Sequence, residues 1–115
     1  MNTYLIINET HSLLPDQIRE LEEKGIVDYE EIKIPEEGWS LQTRLANAEE
    51  WTLLGGRFIF VSPEPVLLGK MAYNAGFGLN IEVYIFTNDQ REKKELPDGR
   101  IIQTVAREGW KLVRI

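Results

Sequence analysis

The chain has 115 residues, 43% of them hydrophobic and 28% charged, a formal net charge of −6 and no cysteine. This composition excludes a disordered tail, a collagen-like fibre, a disulfide scaffold and any thiol chemistry. The length fits one domain over residues 1–115, and no apolar run approaches the ~20 residues of a membrane span.

Thr3-Tyr4-Leu5-Ile6-Ile7 is apolar and β-rich, and reads as a buried first strand ending in the polar cluster Asn8–Ser12. Leu14-Pro15-Asp16-Gln17 opens a helix, with Ile18, Leu21 and Leu14 expected on its buried face and Gly25 as its stop. Ile32-Lys33-Ile34 alternates as a second strand, ended by Pro35. Leu41, Leu45, Ala48 and Trp51 recur at helical spacing, so a second helix is expected over 41–54 with Ser40 as its cap. Phe58-Ile59-Phe60-Val61 is apolar on both faces, as a central strand of a covered sheet should be. A third helix from about Val66 to Ala75 follows, with Ser62 as a candidate cap. Gly76-Phe77-Gly78 then leads into the strand Ile81–Phe86. Glu92–Leu96 and Arg100–Val105 flank Pro97-Asp98-Gly99, a hairpin signal, and Trp110–Ile115 alternates as a last strand. The order predicts an α/β, Rossmann-like, mostly parallel sheet with helices on both faces and a C-terminal β-hairpin.

Charge is uneven along the chain. Residues 1–61 carry five Lys/Arg against twelve Asp/Glu, a balance of −7; residues 62–115 carry eight against seven, a balance of +1. Duplex nucleic acid is not an expected partner, because phosphate contacts need a basic excess. An anionic ligand is expected against the C-terminal half. The start Met1-Asn2-Thr3-Tyr4 has no basic region of a secretory signal, so a cytoplasmic protein without membrane attachment is expected.

Ligands of open α/β sheets bind outside the carboxyl ends of the strands. Three polar segments fall there: Asn8–Ser12, Ser62–Glu64 and Thr87–Arg91. His11 is the only histidine, and reads either as a plain loop residue or as a phosphate donor and general acid/base. Ser62 reads either as a helix cap or as part of an anion site, with no P-loop and no nucleophile elbow around it. Thr87-Asn88-Asp89-Gln90-Arg91 reads either as a charged turn or as a phosphate-binding segment, Arg91 being suited to a pair of phosphate oxygens. Trp39, Trp51 and Trp110 read as core or interface residues. No metal-ligand spacing is present.

Leu5-Ile6-Ile7-Asn8, His11, Leu13 and Gln17, the stretch Ile34-Pro35-Glu36-Glu37 with Trp39, and then Thr87, Arg91, Glu92–Glu95 and Asp98-Gly99 together resemble the small stand-alone CRISPR-associated ring nucleases of CARF-like fold. The resemblance implies a homodimer that binds cyclic oligoadenylate second messengers of antiviral defence. It also implies cleavage without metal or other cofactor, the 2′-hydroxyl attacking its own phosphodiester. On this reading Asn8, Ser62, Thr87, Asn88 and Arg91 bind ligand, and His11 and Arg91 are catalytic. Two other readings of the residues stand beside it: a small acidic protein-interaction module using the exposed hairpin, and a generic nucleotide-binding domain without catalysis.

Overall fold

The computed structural model describes all residues, 1–115. Its elements are β1 (Thr3–Asn8), α1 (Pro15–Glu23), β2 (Glu30–Ile34), α2 (Leu41–Leu54), β3 (Gly56–Phe60), α3 (Pro65–Ala75) and β4 (Ile81–Thr87), followed by β5 (Arg91–Glu95), β6 (Ile101–Val105) and β7 (Lys111–Arg114). The main sheet has the order β2-β1-β3-β4-β7. Its first four strands are parallel, and β7 runs antiparallel to β4 with Thr87 opposite Lys111. The expected Rossmann-like α/β sheet is therefore present, and no helix is long and apolar enough to cross a membrane.

The strand order decides where the helices lie. The chain steps outward from β1 to β2, then returns past β1 to β3 and β4. Right-handed crossovers place α1 on one face and α2 and α3 on the other. Side chains alternate to match. Tyr4, Ile6, Phe58, Phe60 and Val83 join Ala48 and Trp51 of α2 and Leu67 and Met71 of α3 in one cluster. Leu5, Ile59 and Leu112 join Leu21 of α1 and Ile26 in the other. In the first cluster Tyr4, Phe58 and Trp51 stack at centroid distances of 5.0 and 5.6 Å, and Trp39 meets Trp51 edge-on at 6.1 Å.

Local chemistry explains the ends of the helices. Ser40 caps α2, its Oγ accepting from Thr43 N–H at 3.1 Å. Gly25, just past α1, has φ 74°, a left-handed turn that favours glycine. Gly56 opens β3 at φ 123°, and a Cβ there would lie 2.8 Å from the Asn2 carbonyl oxygen, so only glycine fits.

Two expectations need correction, at Ile18 and at Ser62. Ile18 is 40% exposed, and the buried stripe of α1 is Gln17 and Leu21. A polar residue can take that place because Gln17 Oε1 accepts from Leu14 N–H at 3.0 Å, covering a free donor of the helix start. Leu41 and Leu45 are exposed, since only the second half of α2, with Ala48 and Trp51, reaches the core. Ser62 does not cap α3, whose N-cap is Glu64. With Ser62 as cap, one of the two amides it should hold would belong to Pro65, which has no N–H.

The hairpin is present at the expected place, with Gly99 at φ 86° in its turn. It lies ahead of β7 and pairs only with itself, so the antiparallel addition to the main sheet is β7. The radius of gyration is 15.6 Å and the molecule measures 50 × 34 × 23 Å, longer than the ~13 Å radius of a compact 100-residue domain. An arm standing off the body accounts for the excess.

Candidate functional site

The topology reverses between β1 and β3, and their carboxyl ends lie side by side there. The ladder between them ends with Val61 N–H and Ser62 N–H both donating to the Ile6 carbonyl, at 2.9 and 3.2 Å. Past that point the Ser62 hydroxyl stands in for the next carbonyl and accepts from Asn8 N–H at 2.8 Å. The chain then turns. Asn8 Oδ1 accepts from Thr10 N–H and Thr10 Oγ1 at 2.9 and 2.7 Å, and the Asn8 carbonyl accepts from His11 N–H at 2.9 Å. This Asx turn folds His11 back over the strand end and sets its Nδ1 3.1 Å from Ser62 Oγ.

Ser62 is 5% exposed, whereas His11 is at the surface. Asn8 N–H already donates into the Ser62 oxygen, so the hydroxyl has its own hydrogen left to give. His11 Nδ1 is the group in reach of that hydroxyl. With Nδ1 facing Ser62 in either direction of that bond, Nε2 is the ring nitrogen turned to the surface, where a ligand can meet it. Two of the three polar segments thus converge on one point.

The carboxylate of Glu64, at the start of α3, is not a bare charge beside this point. It is buried and ion-paired with Arg44 from α2.

The third segment stands apart. Thr87 ends β4 on the same edge of the sheet. Asn88 is buried, its Nδ2 donating to the carbonyls of Ala106 and Glu108 at 2.9 Å each, and its Oδ1 accepting from Gln90 N–H at 3.0 Å. It brackets the foot of the hairpin to the chain entering β7. Arg91 is exposed and donates to the carbonyls of Asn88 and Gln90 at 2.7 and 2.9 Å.

A crevice of about 330 Å³ opens beside His11. Its walls are His11 and Ser12 from the loop after β1, Leu14 and Gln17 from the start of α1, Val61 and Pro63 from the turn after β3, and Trp110 ahead of β7. Thr87, Asn88 and Arg91 do not line it. The largest hollow, about 470 Å³, lies at the opposite end of the sheet among Met1–Tyr4 and Asp28–Glu30, away from the carboxyl ends where such sheets bind ligands.

Asp16 holds the Trp110 wall in place. Its Oδ2 accepts from Gly109 N–H and Trp110 N–H at 2.7 and 3.0 Å. Those two amides, with Arg19 and Lys111 adding to them, hold its carboxyl below the usual carboxylate range. Phe86 meets the Trp110 ring edge-on at 6.5 Å. No group of three or more His, Cys, Asp or Glu side chains is arranged to hold a metal ion.

Gln17 and Trp110 were not singled out by chemistry in the sequence. For Gln17 the signal is its position three residues after the cap of a helix, where a glutamine folds back on the backbone. Trp110 carries no local signal, because its partners Asp16 and Phe86 are distant in sequence. Comparison with protein-family models, curated proteins and solved structures finds no match to this chain.

Proposed function

We propose that the chain binds a cyclic oligoadenylate at the carboxyl ends of β1 and β3, with His11 and the Asn8–Ser62 pair against a phosphodiester. The observation that carries this reading is the Ser62 hydroxyl, shared by Asn8 N–H and His11 Nδ1 at the point where the strand order reverses. It gives the imidazole a fixed orientation with Nε2 turned outward, suited to a phosphate oxygen while the neighbouring 2′-hydroxyl is held for attack on its own phosphodiester. The resemblance in Asn8, His11, Gln17, Thr87 and Arg91 supplies the ligand class. Arg91 meets the outer phosphates of the ring from the foot of the hairpin, and a ring of two-fold symmetry is shared by two copies of the chain.

The test is thermal unfolding with cyclic tri-, tetra- and hexa-adenylate, followed by chromatography of the ligand in the presence of a chelator. A ligand at about 100 times its dissociation constant adds roughly 2.7 kcal/mol. The expected result is a raised Tm with one ring size and linear products. His11→Ala and Arg91→Ala should weaken binding by more than the small Tm loss that follows from their own hydrogen bonds to Ser62 and to the Asn88 and Gln90 carbonyls. No shift with any ring overturns the reading; a shift with intact ligand keeps binding and removes cleavage.

One observation favours a second reading, a protein-interaction module. The hairpin exposes Ile101, Ile102 and Val105 on a two-stranded sheet with no cover, and such a ribbon is marginal by itself. Salt-sensitive binding to a basic partner, with no affinity for any cyclic adenylate, would select this reading.

A further inference from the structure

We infer that the crevice beside Ser62 receives a single nucleobase, held against the indole of Trp110 and read by the side-chain amide of Gln17. The inference deepens the reading above and rests on it, placing one base of the ligand inside while the phosphate stays at His11 and Ser62.

Gln17 is 4% exposed and lines the crevice. Its one hydrogen bond runs from Leu14 N–H to Oε1. A backbone N–H can face only the amide oxygen, so this bond fixes which way the amide points. Nε2, with two hydrogens, is turned the other way and has no acceptor in the protein. Trp110, which also lines the crevice, carries a donor that is itself buried, since its Nε1 has no partner. Buried donors without acceptors are destabilising and rare in native chains. One such donor, Trp110 Nε1, beside a Gln17 amide whose Nε2 is free, marks a place suited to something that brings acceptors.

The walls say what that is. Leu14, Val61, Pro63 and Trp110 are apolar, and the lining holds no carboxylate, lysine or arginine. A phosphate finds no counter-charge inside, whereas a flat neutral ring finds apolar faces and an amide donor at its edge. The volume of about 330 Å³ is at the low end of the ~300–1,000 Å³ of small-molecule sites. It admits one base and excludes a whole ring of nucleotides. A nucleobase with a ring nitrogen or carbonyl at its edge satisfies the donor of Gln17, and each chain takes one base of a shared ring.

The test is proton–nitrogen NMR on the full chain. Its three tryptophans give three indole N–H signals, and Trp110→Phe assigns one of them. Adenosine, ribose and cyclic tetra-adenylate are titrated separately. The expected result is that adenosine and the cyclic ligand move the Trp110 signal and ribose does not. Gln17→Glu keeps an oxygen for Leu14 N–H and loses the donor, so it should fold and bind adenosine roughly tenfold more weakly or worse.

A Trp110 signal unmoved by adenosine overturns the inference, as does undiminished affinity in Gln17→Glu. The two levels separate cleanly. A cyclic ligand that raises the Tm without moving Trp110 overturns the base crevice and leaves the proposed function standing. Adenosine that moves Trp110, with no cyclic ligand raising the Tm, supports the crevice and overturns the cyclic-ligand reading.

Discussion

The two faces of the sheet are held by different forces. Under α2 and α3, eleven buried residues form one cluster around the stack of Tyr4, Phe58 and Trp51. Under α1 only five buried residues meet. There the attachment is completed by carboxylates on backbone amides: Asp16 on Gly109 and Trp110, and Glu20 on Leu112 N–H at 3.4 Å. Apolar burial is indifferent to ligand and pH, whereas charge-assisted bonds are directional and titrate. The thick face therefore fixes the fold. The thin face can carry a crevice whose wall, Trp110, is positioned by a carboxylate.

The sharpest way to break this contrast is to cut into both cores. Trp51→Ala should cost about 3–5 kcal/mol and Leu21→Ala about 2–3 kcal/mol in urea unfolding. Trp51 loses stacking on Phe58 as well as area, whereas a gap at Leu21 can relax into the smaller cluster. Equal losses would show that the thin face is as tightly packed as the thick one.

Acid should separate the faces next. The folded state holds the Asp16 carboxyl below its usual range, chiefly through Gly109 and Trp110 N–H. The stability this gives is fully present above the unfolded value of about 4 and is lost as pH falls below it towards the lower folded value. Asp16→Asn should lower the Tm at neutral pH and flatten the fall in Tm on the acid side. A variant with the same acid limb as the parent would remove Asp16 from the account.

A cap on the thick face gives a smaller effect. Ser40→Ala removes the oxygen that receives Thr43 N–H and should cost about 1 kcal/mol. It should leave binding at the carboxyl end of the sheet unchanged, because the start of α2 has no part in the crevice. Coupling between this cap and ligand affinity would contradict the division of the faces.

The legible parts of the molecule are those set by local pattern. Phe58–Val61 is apolar on both faces and became an internal strand because only a covered sheet buries such a run, and Ile81–Phe86, a β-rich run, became the strand beside it. The hairpin turn was legible from Asp98-Gly99, since a glycine there takes the left-handed conformation. The meeting of Asn8–Ser12 with Ser62 followed from strand order, a topological rule. Illegible features depend on partners far away in sequence. The bond from Trp110 N–H to Asp16 spans 94 positions, and no periodicity records it. Ser62 was legible as a strand-end polar residue, but its hydroxyl's choice between helix and strand turned on the missing N–H of Pro65. Asn88 and Arg91 look alike as ligand donors in sequence; in the fold the Asn88 side chain is spent on the backbone of residues 90–108.

The smallest expected effect concerns a residue whose spacing marked the helix α2. Leu41 lies on the apolar stripe of α2 yet is 57% exposed, because the first half of the helix lies outside the core. Leu41→Gln swaps one good helix former for another and removes little buried area. It should change stability by no more than about 0.5 kcal/mol. The measurement is Tm across a hundredfold range of protein concentration. A Tm equal to the parent's at every concentration keeps the stripe as solvent-facing surface. A loss that appears only at high concentration, where the parent is stabilised by self-association, would mean that the apolar start of α2 is covered by a second copy. The thick face would then hold an assembly as well as a fold, and the contrast between the faces would have to be redrawn with the dimer in place.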